Sequence, residues 1–159
     1  MIPMTHRSMM VYDVVTFLLT LTAIFSPQLT LKAPSFVQAS CYNGNGSKYE
    51  RHRDNKPLSR RNIDDDAAWL SQPEQRQRYI TCILYLTPVD WSIDDGGGLR
   101  CYLGCEDNDD IGYSAKEIVN IEPKFGRLVI FSSHHVLHEV LPTHRPGRYA
   151  LTVWLMKED

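Results

Sequence analysis

From residue 35 onward the chain is a succession of short runs rich in β-branched, aromatic and aliphatic residues, broken by turn-forming residues, and this alternation constrains the fold more than any other feature. Residues 35–42, 49–54, 78–86, 99–103, 118–121, 127–131, 139–141 and 149–155 read as strands, the later ones spaced roughly 8 to 12 residues apart. Such spacing argues for a β-sandwich or barrel rather than a parallel sheet with crossover helices. The run 78–86 (RYITCILYL) is apolar on both faces, as a buried strand would be, and Pro88 ends it. Asn43-Gly44-Asn45-Gly46-Ser47 is a dense turn signal calling for positive φ angles, and Gly96-Gly97-Gly98 turns the chain into 99–103. Residues 55–78, which hold Pro57 and Pro73, show no periodicity and read as a long polar loop at a rim; an acidic loop follows at 106–110.

At 159 residues the chain is the size of one domain with one core. A charged fraction of 23% and a net charge of -2 leave no electrostatic footprint for nucleic acid. Arg51, Arg53, Arg60, Arg61, Arg76 and Arg78 are interrupted by Asp54, Asp64, Asp65, Asp66 and Glu74, the pattern of a mixed, solvated surface. Cys41, Cys82, Cys101 and Cys105 lack the paired C-x-x-C spacing of a zinc site and read as reduced thiols. A Cys101–Cys105 bridge is disfavoured by the geometry of an extended strand.

Residues 1–28 differ from the rest. Their apolar stretch, 14–25, is shorter than the ~20 residues a bilayer span needs. Three readings stay open: a signal or anchor, a buried helix or strand, and a leader not native to the domain, which would occupy 29–159. No membrane association is expected unless the leader is a genuine anchor. Cytoplasm or nucleus is the favoured compartment, with the endoplasmic reticulum or secretory pathway if the leader is genuine.

His52-x-Asp54 sets two metal-competent side chains at i and i+2, the same face of a strand. A distal histidine would complete a two-histidine, one-carboxylate facial triad, which holds iron while leaving coordination positions open. His138 is chosen because it opens the short apolar run His138-Glu139-Val140-Leu141-Pro142; His134, His135 and His144 read as loop or surface groups. A rim ligand is not a core group, so loss of Asp54 is expected to spare the fold. Arg148 has the planar fork that grips a carboxylate through two hydrogen bonds, and position alone rates this equal to a surface arginine after Pro146-Gly147. Arg127 is the next cation to consider.

The strings Cys41-Tyr42-Asn43-Gly44-Asn45-Gly46, Tyr49-Glu50-Arg51-His52-Arg53-Asp54-Asn55, Tyr79-Ile80-Thr81-Cys82-Ile83-Leu84-Tyr85-Leu86, Ile121-Glu122-Pro123-Lys124-Phe125-Gly126-Arg127-Leu128, His138-Glu139-Val140 and Arg148-Tyr149-Ala150-Leu151-Thr152-Val153-Trp154 carry a resemblance. Together they resemble the prolyl hydroxylase domain enzymes that modify hypoxia-inducible factor, within the Fe(II)- and 2-oxoglutarate-dependent dioxygenases. The resemblance implies a mainly β, double-stranded β-helix (jelly-roll, cupin-like barrel). It implies His52, Asp54 and His138 as iron ligands and catalytic centre, Arg148 and Tyr85 as the binders of the far carboxylate of 2-oxoglutarate, and Tyr42 as an active-site tyrosine near the metal. The implied activity is peptidyl-proline 4-hydroxylation using Fe(II), 2-oxoglutarate, O2 and L-ascorbate, on a protein or peptide containing proline. Arginine at 148 is similar to the hypoxia-type enzymes and unlike the collagen-type ones. Residues 1–28 do not look like the helices that buttress the barrel upstream in that family, so those helices are expected to be missing or truncated, and residues 1–28 to be dispensable for iron binding. Alternatives carried forward are an inactive or cupin-like binding module, and an oxygenase acting on a different residue.

Overall fold

The computed structural model describes residues 6–55, 77–106, 109 and 111–158; the polar loop read at 55–78 lies almost entirely outside these, as do three residues of the acidic loop. Among the described residues a helix α1 (His6–Phe25) is followed by nine strands: β1 (Leu31–Lys32), β2 (Gln38–Asn43), β3 (Ser47–His52), β4 (Arg78–Tyr85), β5 (Leu99–Leu103), β6 (Glu117–Ile121), β7 (Leu128–Ser132), β8 (Leu137–Thr143) and β9 (Pro146–Lys157). They form two antiparallel sheets. One runs β1-β9-β4-β7 with β2 also on β9, and the other runs β3-β8-β5-β6.

The core between the sheets follows from strand alternation. Ile83 and Tyr85 of β4 and Ala150 of β9 meet Leu99 and Cys101 of β5 and Val140 of β8 in one buried cluster. The residues between them on β4 and β9 face the other way, where Cys82, Val153 and Leu155 pack against Val15 and Leu18 of α1. That is why the run 78–86 is apolar on both faces: a sheet covers one and a helix covers the other. Where the sequence left the upstream support missing or truncated, one helix sits on this outer face and seals it. No helix among the described residues is long and apolar enough to cross a membrane.

Two strands depart from their expected limits for physical reasons. The pairing of β3 with β8 ends at His52 opposite His138, so Asp54 lies beyond the strand rather than two positions along it. There the backbone crosses toward the other sheet: the Asn55 amide donates to the Ser133 carbonyl at 3.0 Å, and the Asn55 side chain donates to the Arg78 carbonyl at 2.8 Å. β9 is longer than expected at 12 residues, because it pairs with β4 on one side and with β2 and then β1 on the other. The turn at 43–47 has the positive φ angles its residues call for, +77° at Gly44, +54° at Asn45 and +78° at Gly46. All four cysteines are free thiols.

Candidate functional site

The register of the sheets brings distant side chains together. His52 ends β3 opposite His138 on β8, and Asp54 follows just past the strand. One donor atom from each of the three lies within 4.8 Å of the others, and this is the one such group of metal-competent side chains among the described residues. His52 Nε2 is 3.5 Å from Asp54 Oδ1, and His138 Nε2 is 3.8 Å from Asp54 Oδ2.

The backbone sets the tautomers. His52 Nδ1 lies 2.8 Å from the Glu50 carbonyl and His138 Nδ1 lies 3.1 Å from that of Val136. A carbonyl can only accept, so each Nδ1 carries the proton and each Nε2 presents a lone pair toward Asp54. This is how metal-binding imidazoles are usually held. Phe131 packs edge-on against the His138 ring at 4.8 Å. Burial pushes His138 down to about 4, against the pull of Asp54, so the ring is neutral at pH 7. For Asp54 burial acts upward but is outweighed by the two neighbouring imidazoles and the Thr81 hydroxyl, which hold the carboxyl at about 2. A carboxylate and two neutral imidazoles, with one donor atom from each within 4.8 Å of the others, are a donor set suited to a divalent first-row metal such as Fe(II).

Asp54 corrects one expectation. It is 5% exposed and accepts a 2.6 Å hydrogen bond from Thr81, so it is a buried, bonded group and not a rim residue. Its replacement would leave a buried hydroxyl without its acceptor and would cost the fold as well as the site.

The same small cavity, about 130 Å³, is lined by the triad and by Tyr42, Ile83, Arg148 and Ala150. Arg148 is 2% exposed, which sets aside the surface-arginine reading. Its Nε donates to the Gly97 carbonyl at 2.5 Å, and its guanidinium lies 4.8 Å from the ring centre of Tyr42 and 5.2 Å from that of Tyr85. Gly97 makes room for it: at φ +70°, a Cβ there would come within 2.6 Å of Arg148 Cδ. Burial lowers the Arg148 pKa, against the two tyrosines. The Tyr85 hydroxyl is buried with no hydrogen-bond partner among the described residues, and burial, opposed by Arg148, raises it to about 12, so it remains a protonated donor. Burial also raises Tyr42. A buried cation beside a buried hydroxyl is a setting suited to an anion such as a carboxylate.

The remaining sequence candidates fall outside. His134 and His135 meet edge to face in the turn before β8, with ring centres 4.9 Å apart, and His144 is exposed. Arg127 donates to the Glu122 carbonyl at 2.7 Å. Sequence reasoning missed Thr81, Ser133 and Gly97. The only available signal was a threonine inside an otherwise apolar strand and a glycine triplet.

Residues 37–156 match the model of the 2OG-Fe(II) oxygenase superfamily. Egl nine homolog 1 of Rattus norvegicus is 35% identical over 125 residues, covering 77% of this chain and 29% of that protein. Prolyl hydroxylase EGLN3 of Homo sapiens is 34% identical over 126 residues, 78% of this chain and 41% of that one. The chain thus spans less than half the length of these curated relatives. Among solved structures, a prolyl hydroxylase from Trichoplax adhaerens, in complex with a hypoxia inducible factor oxygen degradation domain peptide fragment, superposes with a TM-score of 0.67 at 26% identity, covering 92% of this chain and 55% of that one. The two-sheet architecture is accordingly a double-stranded β-helix, and the chain belongs to the 2OG-Fe(II) oxygenase superfamily.

Proposed function

We propose that this chain forms the iron- and 2-oxoglutarate-binding part of a dioxygenase that hydroxylates prolyl residues in a polypeptide. The observation that carries the reading is a single cavity lined both by the His52, Asp54 and His138 donors and by the buried Arg148 guanidinium. In this reading those three residues hold Fe(II), and Arg148 with the Tyr85 hydroxyl holds the far carboxylate of 2-oxoglutarate. Fe(II), when bound, supplies the redox chemistry by which O2 converts 2-oxoglutarate to succinate and CO2 while the second oxygen atom enters a substrate C–H bond. The protein supplies orientation. The Nδ1 bonds to backbone carbonyls keep both Nε2 lone pairs turned inward. The Gly97 carbonyl fixes Arg148 through Nε, leaving the terminal nitrogens for the carboxylate. Burial keeps water from competing for that guanidinium. L-ascorbate would sustain turnover by re-reducing iron oxidised without substrate. The proline-containing partner is supported by the prolyl hydroxylase relatives and by the peptide-bound neighbour.

The test is a titration of 2-oxoglutarate into the Fe(II)-loaded protein under nitrogen, followed by the metal-to-ligand charge-transfer absorbance. Succinate release is then assayed in air with and without a proline-containing peptide. Charge-transfer absorbance with peptide-stimulated succinate is expected. Binding of both groups without decarboxylation would make the chain a binding module, and decarboxylation unaffected by any proline peptide would move the substrate to another residue.

A further inference from the structure

Thr81 sits in the middle of β4, on the face that lines the cavity. Its hydroxyl is 2.6 Å from Asp54 Oδ2 and 2.8 Å from Ser133 Oγ. Thr81 and Ser133 are 0% exposed and Asp54 is 5% exposed. The directions of these bonds follow from chemistry. An ionised carboxylate only accepts, so Thr81 spends its one proton on Asp54, and Ser133 must donate to Thr81. The result is a relay of two hydroxyls that ends on one carboxylate oxygen. Ser133 is itself clamped: its amide donates to the Tyr79 carbonyl, and its carbonyl accepts from the Asn55 amide, each at 3.0 Å. Asn55 directly follows Asp54. The loop that carries Asp54 off the end of β3 is therefore tied to β4 through the Asp54 and Asn55 side chains, and through its backbone to Ser133, just past β7.

Thr81 is a hydroxyl-bearing residue in a strand where valine would fill nearly the same space with no polar atom to satisfy. A hydroxyl kept at 0% exposure and aimed at a carboxylate has a bonding role. We infer that Thr81 is a positioning residue for the metal: by engaging Oδ2 of Asp54 it presents Oδ1 alone, so that Asp54 acts as one donor and not two. This rests on the metal site proposed above. Its consequence concerns vacancy. Two imidazoles and one carboxylate oxygen leave three of six positions open, whereas a chelating carboxylate would leave two, too few for a two-point cosubstrate and dioxygen.

The experiment uses the full chain as wild type, Thr81→Val, Thr81→Ser and Ser133→Ala. Metal-free thermal melting reports the fold, competition with a chromophoric chelator gives Co(II) and Fe(II) affinity, and the d–d absorption of the Co(II) proteins reports coordination number. Thr81→Ser should keep the wild-type affinity and spectrum. Thr81→Val should bind ~10- to 100-fold more weakly, the usual effect of losing a partner that orients a metal ligand, with a changed d–d band, and Ser133→Ala should fall between. A role confined to folding would lower the melting temperature and leave affinity and spectrum where they were. Wild-type affinity and spectrum in Thr81→Val overturn the inference; if that variant does not fold, the same result in Ser133→Ala overturns it. A wild-type chain that binds neither metal would instead overturn the metal site itself.

Discussion

Arg148 is a cation enclosed by protein, held through a single nitrogen to the Gly97 carbonyl. Its substitution separates charge from shape. Arg148→Ala leaves a cosubstrate carboxylate without its partner, a loss of about 3–5 kcal/mol for a buried pair, which corresponds to roughly a hundred- to a thousand-fold or more in affinity. Arg148→Lys keeps the charge but not the fork and should fall between. Anaerobic 2-oxoglutarate titration of the Fe(II) proteins reads both, with iron affinity unchanged. Gly97→Ala should act on the same group from behind, because the new Cβ would meet Arg148 Cδ in a residue already at φ +70°. The left-handed backbone alone costs roughly 1–2 kcal/mol, so weaker cosubstrate binding together with a lower melting temperature is expected. If cosubstrate affinity were kept in Gly97→Ala, Arg148 would not depend on that space. His52, Asp54, His138 and Arg148 were legible because their chemistry is rare and shows in residue type. Thr81 and Ser133 were not, since Thr81 lies 27 residues along the chain from Asp54 and Ser133 a further 52 from Thr81, and by type one is an ordinary strand residue and the other an ordinary turn residue.

The element that resisted reading was α1. Its apolar residues run around the whole helix, so no polar face announced which side was to be buried; Val15 and Leu18 are covered while Phe17 and Phe25 are exposed. Only the outward-facing Cys82, Val153 and Leu155 of the major sheet decide its orientation, and these lie far downstream. The helix should therefore be a stability element rather than part of the chemistry. Leu18→Ala, at a side chain 1% exposed, is expected to destabilise the fold by about 2–5 kcal/mol. Urea unfolding would show this, while metal affinity per folded molecule stays the same because α1 is on the far face of the sheet from the cavity. A Leu18→Ala protein as stable as wild type would mean that α1 is not docked in solution. The strands were more legible, since period-two patterns and turn residues bracket them. Their ends were less so: the Pro146-Gly147 pair reads as a turn, yet β9 already begins at Pro146 because Asn43 of β2 is there to pair with it.

Across the whole molecule, the cavity is a seam between the two sheets. His52 and His138 come from the β3-β8 pair, and Arg148 and Thr81 come from β9 and β4 of the other sheet. A ligand that spans from the triad to Arg148 would cross-link the two halves, so occupancy should register as global stability. Mass action adds about 2.7 kcal/mol at a ligand concentration one hundred times Kd. Thermal unfolding should rise with Fe(II) or Mn(II), rise again when 2-oxoglutarate is added, and fall with a chelator. An additional rise from 2-oxoglutarate in Arg148→Ala as large as in wild type would place the cosubstrate elsewhere. The same architecture bears on how the chain emerges from the ribosome. β9 is the last strand in chain order, yet it lies between β4 and the pair β1 and β2, and joins Leu31 to Lys157. Until it is made, β2 has no neighbour in its sheet and β4 has one exposed edge. The major sheet therefore cannot close until β9 has been synthesised, and its nascent strands stay open to mispairing with other chains up to that point.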